Sequence, residues 1–455
     1  MNGLVLYAED YKKAYEVKKH FEKIRGYDFF IKHIDALETI PKNTAYIATE
    51  WNVRMDLYHL LQKCDARLGI AFYNDAFLSD IDDTKSIDLA LEEAIQNKNW
   101  EICKGINLFY LMGDIIRKRN CLKSMPVKLQ IETTDLCNAR CIMCSHSYNS
   151  GTGISILKSG IFERIESILP FIKVVILHGN GEPFLEDDIT IYLERMRSYG
   201  ISFISNTNLS IVTDKLIDFF NDSFWELTVS CDGHTKELYE SIRKGLSFEN
   251  FLKNVKRVRK QCPDLNMKMS VVVMRQNLAF LAEIVEFAAS HGFNEIILNQ
   301  LCMDEKNDNL KDAAYLYPDE LLRYTSDAIE RGRLCNIRVV VPYAFEKSPR
   351  SEFQGKKIAG ECIGVCDWLM ECPYIDLRGN VAPCCIKQKE YLGIIFKTDF
   401  HHVWNGDRYI QAREEFRKGK IPNTCSGCDF AVQGRLQYLL MQNNELKMLE
   451  KKSRC

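Results

Sequence analysis

The chain has 455 residues, with 60 Lys and Arg against 62 Asp and Glu, and 18 of its residues are cysteine. At ~100 to 200 residues per domain this length predicts two to four domains, and the near-neutral charge argues against nucleic acid as the primary partner. The first residues lack a basic segment and no apolar stretch approaches the ~18 to 20 residues that span a bilayer. We therefore expect a cytoplasmic protein without a membrane partner, in which many cysteines indicate metal or cluster sites and not disulfides.

Residues 1–80 alternate short apolar strands with amphipathic helices, which predicts a small, mostly parallel α/β domain of unknown role. Strands are expected at Leu4–Tyr7, Thr44–Ala48 and Leu68–Tyr73, and helices at Asp10–Ile24 and Asn52–Cys64. No glycine-rich phosphate-binding motif occurs there, so no nucleotide site is assigned. Residues 81–125 are predicted to form a helical connector.

Residues 126–345 alternate strand and helix regularly, which predicts a parallel sheet. The expected fold class is α/β, with a partial (β/α)6 TIM-type barrel whose site lies at the carboxyl ends of its strands. The six strands are expected at Val127–Thr133, Val174–His178, Ser202–Ser205, Glu226–Cys231, Lys268–Met274 and Glu295–Leu301. A polar connection then leads to a cysteine-rich domain over residues 346–430, and a helix is predicted over residues 431–455.

A CxxxCxxC motif, formed by Cys137, Cys141 and Cys144, follows the first barrel strand. Three thiolates on one tight loop can hold three corners of a [4Fe-4S] cluster and leave the fourth iron open for reaction. Zinc is the alternative, but structural zinc takes four ligands, and His146 is the one imidazole close in sequence.

This motif resembles that of the radical S-adenosylmethionine (SAM) superfamily, and the resemblance extends from about residue 127 to 430. It implies that Cys137, Cys141 and Cys144 bind a [4Fe-4S] cluster whose open iron is chelated by SAM. It also implies reductive cleavage of SAM to a 5′-deoxyadenosyl radical that abstracts a substrate hydrogen. Met143 departs from the family, which usually has an aromatic residue there, although a polarizable Met could make the same contact.

Four further motifs resemble the family's SAM contacts and follow the expected order. Gly179–Pro183 resembles the GGEP segment, and Asn206–Asn208 resembles TNG, with Leu209 in place of the glycine. Ser230–Gly233 resembles SIDG, and Tyr239–Gly245 resembles the run that carries an Arg for the SAM carboxylate. The SAM contacts implied by the resemblance are Gly181, Glu182, Asn208, Ser230 and Arg243.

A second group of cysteines occupies the C-terminal domain: Cys362, Cys366, Cys372, Cys384, Cys385, Cys425 and Cys428. Their pattern resembles a SPASM or twitch domain, which implies one auxiliary [4Fe-4S] cluster here because the later SPASM cysteines are missing. The best spacing selects Cys366, Cys384, Cys425 and Cys428, with Cys372 as the first substitute. A zinc ribbon is the alternative.

Two other cysteines, Cys231 and Cys302, lie at predicted carboxyl ends of barrel strands. Each could donate a hydrogen atom to a substrate radical, and each could equally be a packed thiol. His178 ends the second strand and is interpreted as structural. A basic stretch between Lys253 and Lys260 is interpreted as a solvated face, with docking of an acidic electron donor or peptide as the alternative.

Together these features predict a radical SAM oxidoreductase or isomerase that receives its electron from a flavodoxin or ferredoxin. A small polar, carbohydrate-like metabolite is slightly favoured as substrate, because the N-terminal region does not resemble a leader-peptide-binding element. A peptide-modifying SPASM maturase is the first alternative. A non-catalytic iron-sulfur or zinc redox sensor is the second, although the presence of Glu182, Ser230 and Arg243 argues against it.

Overall fold

The computed structural model describes residues 4–8, 29–33, 85–116, 119–144, 153, 155–156, 160–186, 188–301, 312–341, 366–385, 390–418, 420 and 422–425. Two compact units are present, residues 1–127 with 167–173, and residues 128–166 with 174–455. The domain boundaries drawn from the sequence stay predictions.

The first unit contains a parallel pair of strands, β1 (Leu4–Ala8) and β2 (Phe29–His33), and two helices, α1 (Lys85–Gln96) and α2 (Trp100–Ile116). Of the strands predicted there, the first is present, whereas β2 was not predicted. The other predicted elements between residues 10 and 73 lie outside the described residues. Asn107 fixes the end of the connector, because its side chain exchanges hydrogen bonds with the backbone of Met125 (3.0 and 2.7 Å).

The second unit contains seven parallel strands that pair in chain order. All six predicted barrel strands are confirmed to within two residues, and a seventh strand follows them in the sheet. Since the strands follow one another without closing, the fold is an open partial barrel. The strands are β3 (Lys128–Ile131), β4 (Val174–Leu177), β5 (Ser202–Thr207), β6 (Phe224–Ser230), β7 (Met267–Val273), β8 (Glu295–Gln300) and β9 (Arg338–Val340).

Helices separate these strands, and several begin at a Thr or Ser whose side chain accepts a hydrogen bond from the backbone three residues on, as at Thr213, Thr235 and Ser247. The helices are α3 (Ile161–Ile165), α4 (Ile189–Arg197), α5 (Asp214–Asp222), α6 (Lys236–Ile242), α7 (Phe248–Gln261), α8 (Leu281–Ser290) and α9 (Pro318–Leu334). Among the helices that the structure describes, none combines the length and apolar character needed to cross a bilayer.

The cysteine-rich segment extends the same sheet. Its strand β10 (Tyr374–Ile375) pairs in parallel with β3, and β11 (Asn380–Ala382) and β12 (Gly393–Ile394) follow as antiparallel neighbours. Three helices accompany them: α10 (Asp367–Glu371), α11 (Phe400–Trp404) and α12 (Asp407–Arg417). The sequence does not predict this pairing, which makes one ten-stranded sheet of what were expected to be two domains.

The two faces of the sheet differ in polarity because successive side chains on a strand point to opposite sides. On the outer face, residues such as Val229, Met269 and Leu298 are buried. The opposite face, here called the inner face, carries Ser230, Ser270 and Asn299, which are half-buried. In β7 this alternation is complete over seven residues. The fold therefore places polar side chains along the inside of the partial barrel.

Candidate active site

The cysteine loop, residues 137–144, begins beyond the carboxyl end of β3 and is joined to the segment that follows α6. The Arg140 N–H donates to the Lys244 carbonyl at 2.7 Å, and the Ile142 N–H donates to the Ile242 carbonyl at 3.0 Å. These bonds bring the Tyr239–Gly245 motif against the cysteines, although about 100 residues separate them in the chain. The CxxxCxxC and Arg-containing motifs therefore share one site.

The loop after β4 approaches the start of the cysteine loop so closely that only a glycine fits. The Glu182 N–H donates to the Leu136 carbonyl at 2.8 Å. A Cβ atom on Gly181 would lie 2.3 Å from the Thr134 carbonyl oxygen and 2.5 Å from that of Leu136. Since both contacts are with backbone, which cannot easily move aside, the glycine at this position is required by packing.

Glu182 connects the loop after β4 to the loop after β5. Its carboxylate accepts hydrogen bonds from the Thr207 hydroxyl and from the Asn208 N–H (2.7 Å). The Asn208 side chain in turn donates to the side-chain oxygen of Asn138, inside the cysteine loop, at 2.9 Å. Burial raises the pKa of Glu182 to about 7, against the opposing effect of these hydrogen bonds.

Leu209 takes the left-handed backbone conformation (φ 55°) where the family has glycine. Its side chain is fully buried, and its carbonyl accepts a hydrogen bond from the Asn254 side chain at 2.8 Å. A non-glycine residue in this conformation carries a strain of roughly 1 to 2 kcal/mol. The turn is thus kept despite the substitution, because packing and hydrogen bonding hold it.

Arg243 is buried between Asp232 and a cysteine of the loop. Its Nε lies 2.7 Å from Asp232 Oδ2, and its Nη1 lies 3.8 Å from Cys141 Sγ. Burial raises the pKa of Asp232, and the Arg243 guanidinium opposes that rise. The other Asp232 oxygen accepts from the Val272 N–H at 2.7 Å. Arg243 therefore supplies positive charge beside the cysteine loop while its own position is fixed by Asp232.

The three thiols of the cysteine loop fit the donor set of an iron-sulfur cluster. Cys141 is buried, and Cys137 and Cys144 are half-buried. Burial raises the pKa of Cys137, and raises that of Cys141 to about 11, and the nearby Cys144 thiol adds to both. A metal cluster binds cysteine in the thiolate form, so three thiols on one loop supply the right kind of ligand. Among the described residues, no group of three or more His, Cys, Asp or Glu side chains is placed so that it could hold a single metal ion.

Glu132, at the end of β3, was not singled out from the sequence. One of its oxygens accepts from both the N–H and the side-chain amide of Asn180 (2.9 Å each), and so holds the loop after β4. Burial raises its pKa. The sequence could have indicated Glu132 only by its position, directly after the strand that precedes the cysteine motif. Glu132 belongs to none of the motifs that resemble the family.

The remaining predicted site residues are less central in the structure. Ser230 is half-buried at the end of β6, on the inner face. The Cys231 thiol is fully buried, lies 3.2 Å from the Gly233 carbonyl oxygen, and has its pKa raised by burial to about 12. This arrangement agrees with the packed-thiol interpretation, and its role as a hydrogen donor stays a prediction. Cys302 lies outside the described residues.

In the C-terminal segment, Cys366 and Cys372 flank α10, Cys384 follows β11, and Cys425 ends a short 3-10 turn. Burial raises the pKa of Tyr409, the Arg413 guanidinium opposes that rise, and the thiols of Cys372, Cys384 and Cys425 add to it. The choice of Cys372 as the first substitute stays a prediction. Cys362 and Cys428 lie outside the described residues.

The basic residues on α7 fall into two groups, one bonded to neighbouring turns and one exposed to solvent. Arg257 binds the Val212 carbonyl (2.6 Å) and Asp214, and Arg259 donates to the Leu265 carbonyl at 2.6 Å. Those two residues therefore stabilise the turns around them. Lys256 and Lys260 are exposed and fit the solvated face that we predicted.

Comparison with known proteins gives two family matches in the expected order. Residues 131–288 match the radical SAM superfamily, and residues 366–429 match the iron-sulfur cluster-binding SPASM domain. A probable GTP 3′,8-cyclase from Methanocaldococcus jannaschii is 26% identical over 171 residues, which are 36% of this chain and 55% of that protein. The mycofactocin maturase MftC from Mycobacterium tuberculosis is 24% identical over 171 residues, 37% of this chain and 43% of MftC. The chain thus spans about half the length of these relatives.

Among solved structures, Streptococcus suis SuiB bound to S-adenosylmethionine has a TM-score of 0.54 at 17% identity, covering 82% of this chain and 85% of SuiB. SuiB bound to its precursor peptide SuiA has a TM-score of 0.50 at 16% identity, covering 68% of this chain and 71% of that one. At such identities the likeness concerns the fold.

Proposed function

The chain is a radical SAM enzyme with a C-terminal SPASM domain, and from this premise we propose that it modifies a residue of a peptide or protein. It uses SAM, a SAM-binding [4Fe-4S] cluster and auxiliary iron-sulfur chemistry. When bound, the cluster and SAM supply abstraction of a substrate hydrogen atom by a 5′-deoxyadenosyl radical. The observation that carries the proposal is that the loops after β4 and β5 and the segment after α6 converge on the cysteine loop, at the edge of a sheet with a polar inner face.

We assign the SAM cluster to Cys137, Cys141 and Cys144, whose spacing on one loop suits three corners of a cluster. Arg243 contributes a buried positive charge 3.8 Å from the Cys141 sulfur, which favours the thiolate form. In the auxiliary site, Cys366, Cys372, Cys384, Cys425 and Cys428 are the candidate ligands.

The loops around the cysteine loop are assigned to SAM binding. Gly181 lets backbone approach closely, and Glu182 and Asn208 hold the neighbouring loops at fixed separation. Ser230 has its hydroxyl on the inner face, where SAM and substrate would meet. Such positioning by buried hydrogen bonds keeps reacting groups aligned during the reaction.

The inner face supports an uncharged polar substrate such as a peptide. Near the carboxyl ends of the strands it carries the amide of Asn299, the hydroxyls of Ser230 and Ser270, and a hydrogen bond of 2.8 Å between Asn299 and Ser270. Amides and hydroxyls match the hydrogen-bonding groups of a peptide backbone. The maturase MftC and the peptide-bound SuiB agree with this substrate class, which replaces the metabolite that the sequence slightly favoured.

A small polar metabolite is the second candidate, since the probable GTP 3′,8-cyclase is also a relative. A nucleoside triphosphate calls for cationic contacts. On the inner face Lys268 lies toward the amino ends of the strands, where it pairs with Glu226 (2.7 Å) and Glu295 (3.3 Å). This placement favours a peptide over a triphosphate.

The first test is SAM cleavage by the anaerobically reconstituted protein under dithionite, with a flavodoxin or ferredoxin as physiological donor. We expect 5′-deoxyadenosine to form, and to form faster with substrate. Cys262→Ala is a suitable control, because that buried thiol lies outside both cysteine groups, near the Ile217 carbonyl. A protein that contains iron but yields no 5′-deoxyadenosine would support the redox-sensor alternative.

The second test separates peptide from metabolite and oxidation from epimerisation. If a short Cys-, Ser- or Asn-containing precursor is encoded beside this gene, that peptide is incubated with the enzyme in D2O. A parallel incubation with GTP tests the metabolite as substrate. A loss of two daltons from the peptide indicates oxidation, and gain of one deuteron indicates epimerisation. Stimulation of SAM cleavage by GTP alone would contradict the peptide proposal.

A further inference from the structure

Helix α12 carries two buried residues that face the cysteine segments of the SPASM domain, Tyr409 and Arg413. They lie four residues apart, so their side chains share one side of the helix. Both are fully buried. The Arg413 guanidinium carbon lies 4.8 Å from the centre of the Tyr409 ring and 4.3 Å from that of Trp404. We call Tyr409 and Arg413 the brace.

Arg413 holds the segment that carries the first two cysteines. Its Nε donates to the Leu369 carbonyl at 3.0 Å, and its Nη1 donates to the Trp404 carbonyl at 2.9 Å. Leu369 lies in α10, and its N–H donates to the Cys366 carbonyl at 3.0 Å. Because α10 is a single short turn, this contact fixes both Cys366 and Cys372.

Tyr409 holds the segment that carries the next cysteine. Its hydroxyl donates to the Ala382 carbonyl at 3.3 Å, two residues before Cys384. One helix thus contacts segments that are separate in sequence.

A buried guanidinium is costly to desolvate, and its stacking on two aromatic rings offsets part of that cost. Negative charge nearby would offset more, and a cluster with cysteine thiolate ligands gains one unit of negative charge when it is reduced. A fixed cation beside such a cluster favours the reduced state, since net charge and the surrounding shell set cluster potentials.

We infer that Arg413 is a positioning residue of the auxiliary cluster. Arg413 joins the cysteine segments through its contacts with Leu369 and Tyr409, and its positive charge raises the reduction potential of the cluster. The inference rests on the proposed auxiliary cluster. This role goes beyond packing. If Arg413 only packed, removing its charge while keeping its bulk would leave the reduction potential of the auxiliary cluster unchanged.

The test uses the full chain with Cys137, Cys141 and Cys144 changed to Ala, so that the auxiliary site is the one assigned cluster site left. Its midpoint potential is measured by a redox titration followed by electron paramagnetic resonance. We expect Arg413→Met to make reduction roughly tenfold less favourable, which is about 59 mV for a one-electron couple. Arg413→Lys keeps the charge and should change the equilibrium less than threefold. Lys418→Met removes an exposed charge from the end of the same helix and should leave it unchanged.

The outcomes are distinct. An assembled cluster in Arg413→Met with the potential of the parent would overturn the inference, and so would equal shifts in Arg413→Met and Lys418→Met. Should Arg413→Met fail to fold, Tyr409→Phe removes only the hydroxyl, and release of its iron to a chelator several-fold faster than in the parent is expected. Unchanged release would then overturn the inference. A parent that binds no iron would refute the proposed auxiliary cluster itself, and the inference with it.

Discussion

The cysteine loop carries three thiols within eight residues, whereas the C-terminal cysteines that the structure describes extend from Cys366 to Cys425. The cysteine loop is held by backbone hydrogen bonds to neighbouring segments, just before it at Leu136 and within it at Arg140 and Ile142. The C-terminal thiols come from separate segments, and side chains of α12 donate hydrogen bonds to two of these segments, at Leu369 and Ala382. The first site is therefore encoded by local spacing and the second by packing between segments.

The largest expected effect separates the two sites by function. Cys141→Ala removes the buried thiol beside Arg243 and should reduce SAM cleavage by more than the roughly 10- to 100-fold that loss of an outer-shell partner causes. Cys384→Ala should leave SAM cleavage within about tenfold of the original and abolish modification of the substrate. Both rates are measured from 5′-deoxyadenosine and product in one assay. Equal loss of cleavage in the two variants would break the comparison.

The buried ion pair should matter more to the first site than any surface pair. Asp232→Asn leaves Arg243 buried without its counter-charge, and we expect a loss of about 3 to 5 kcal/mol in the free energy of unfolding. Glu249→Gln breaks the exposed pair with Lys236 (2.8 Å) and should leave the free energy of unfolding nearly unchanged, because solvent screens the two charges. Urea unfolding of both variants measures the difference. Similar losses would show that the buried pair does not fix the loop.

In the cluster-free protein, Glu182 should make the free energy of unfolding depend on pH. Its pKa in the folded protein, about 7, exceeds its ordinary value of 4.5, so the folded state binds a proton more tightly than the unfolded state does. Stability from this group is present below pH 4.5 and is lost as the pH rises through 7, by roughly 3 kcal/mol. Glu182→Gln should lack this loss when unfolding is compared from pH 4.5 to 7.5. Parallel pH profiles would contradict the burial argument.

The smallest expected effect concerns the left-handed turn at Leu209. Both Leu209→Ala and Leu209→Gly lose the buried side chain, but only alanine keeps the backbone strain at φ 55°. We expect the glycine variant to be the more stable of the two by about 1 kcal/mol, which reverses the usual order at an ordinary position. Thermal unfolding of the pair is sufficient. A more stable alanine variant would show that the turn relaxes.

The sequence predicted the strands of the partial barrel well because their apolar runs are separated by clear helical periods. It also predicted that Gly181, Glu182, Asn208 and Arg243 belong near the cysteine loop, since the carboxyl ends of parallel strands meet at one edge. The roles of Glu132 and Asn138 escaped it, because each acts through a side-chain contact with a residue far along the chain.

By itself, the sequence determined the chemistry: the spacing of Cys137, Cys141 and Cys144 and the order of the following motifs indicate a radical SAM enzyme. Only the tertiary structure decided that the C-terminal strands continue the barrel sheet, that Arg243 pairs with Asp232, and that α12 is hydrogen-bonded to the short helix between Cys366 and Cys372. The physical reason is the separation along the chain of the residues that interact. Short motifs fix the geometry of a single loop, whereas strand pairing and buried charge depend on which distant segments share an interior.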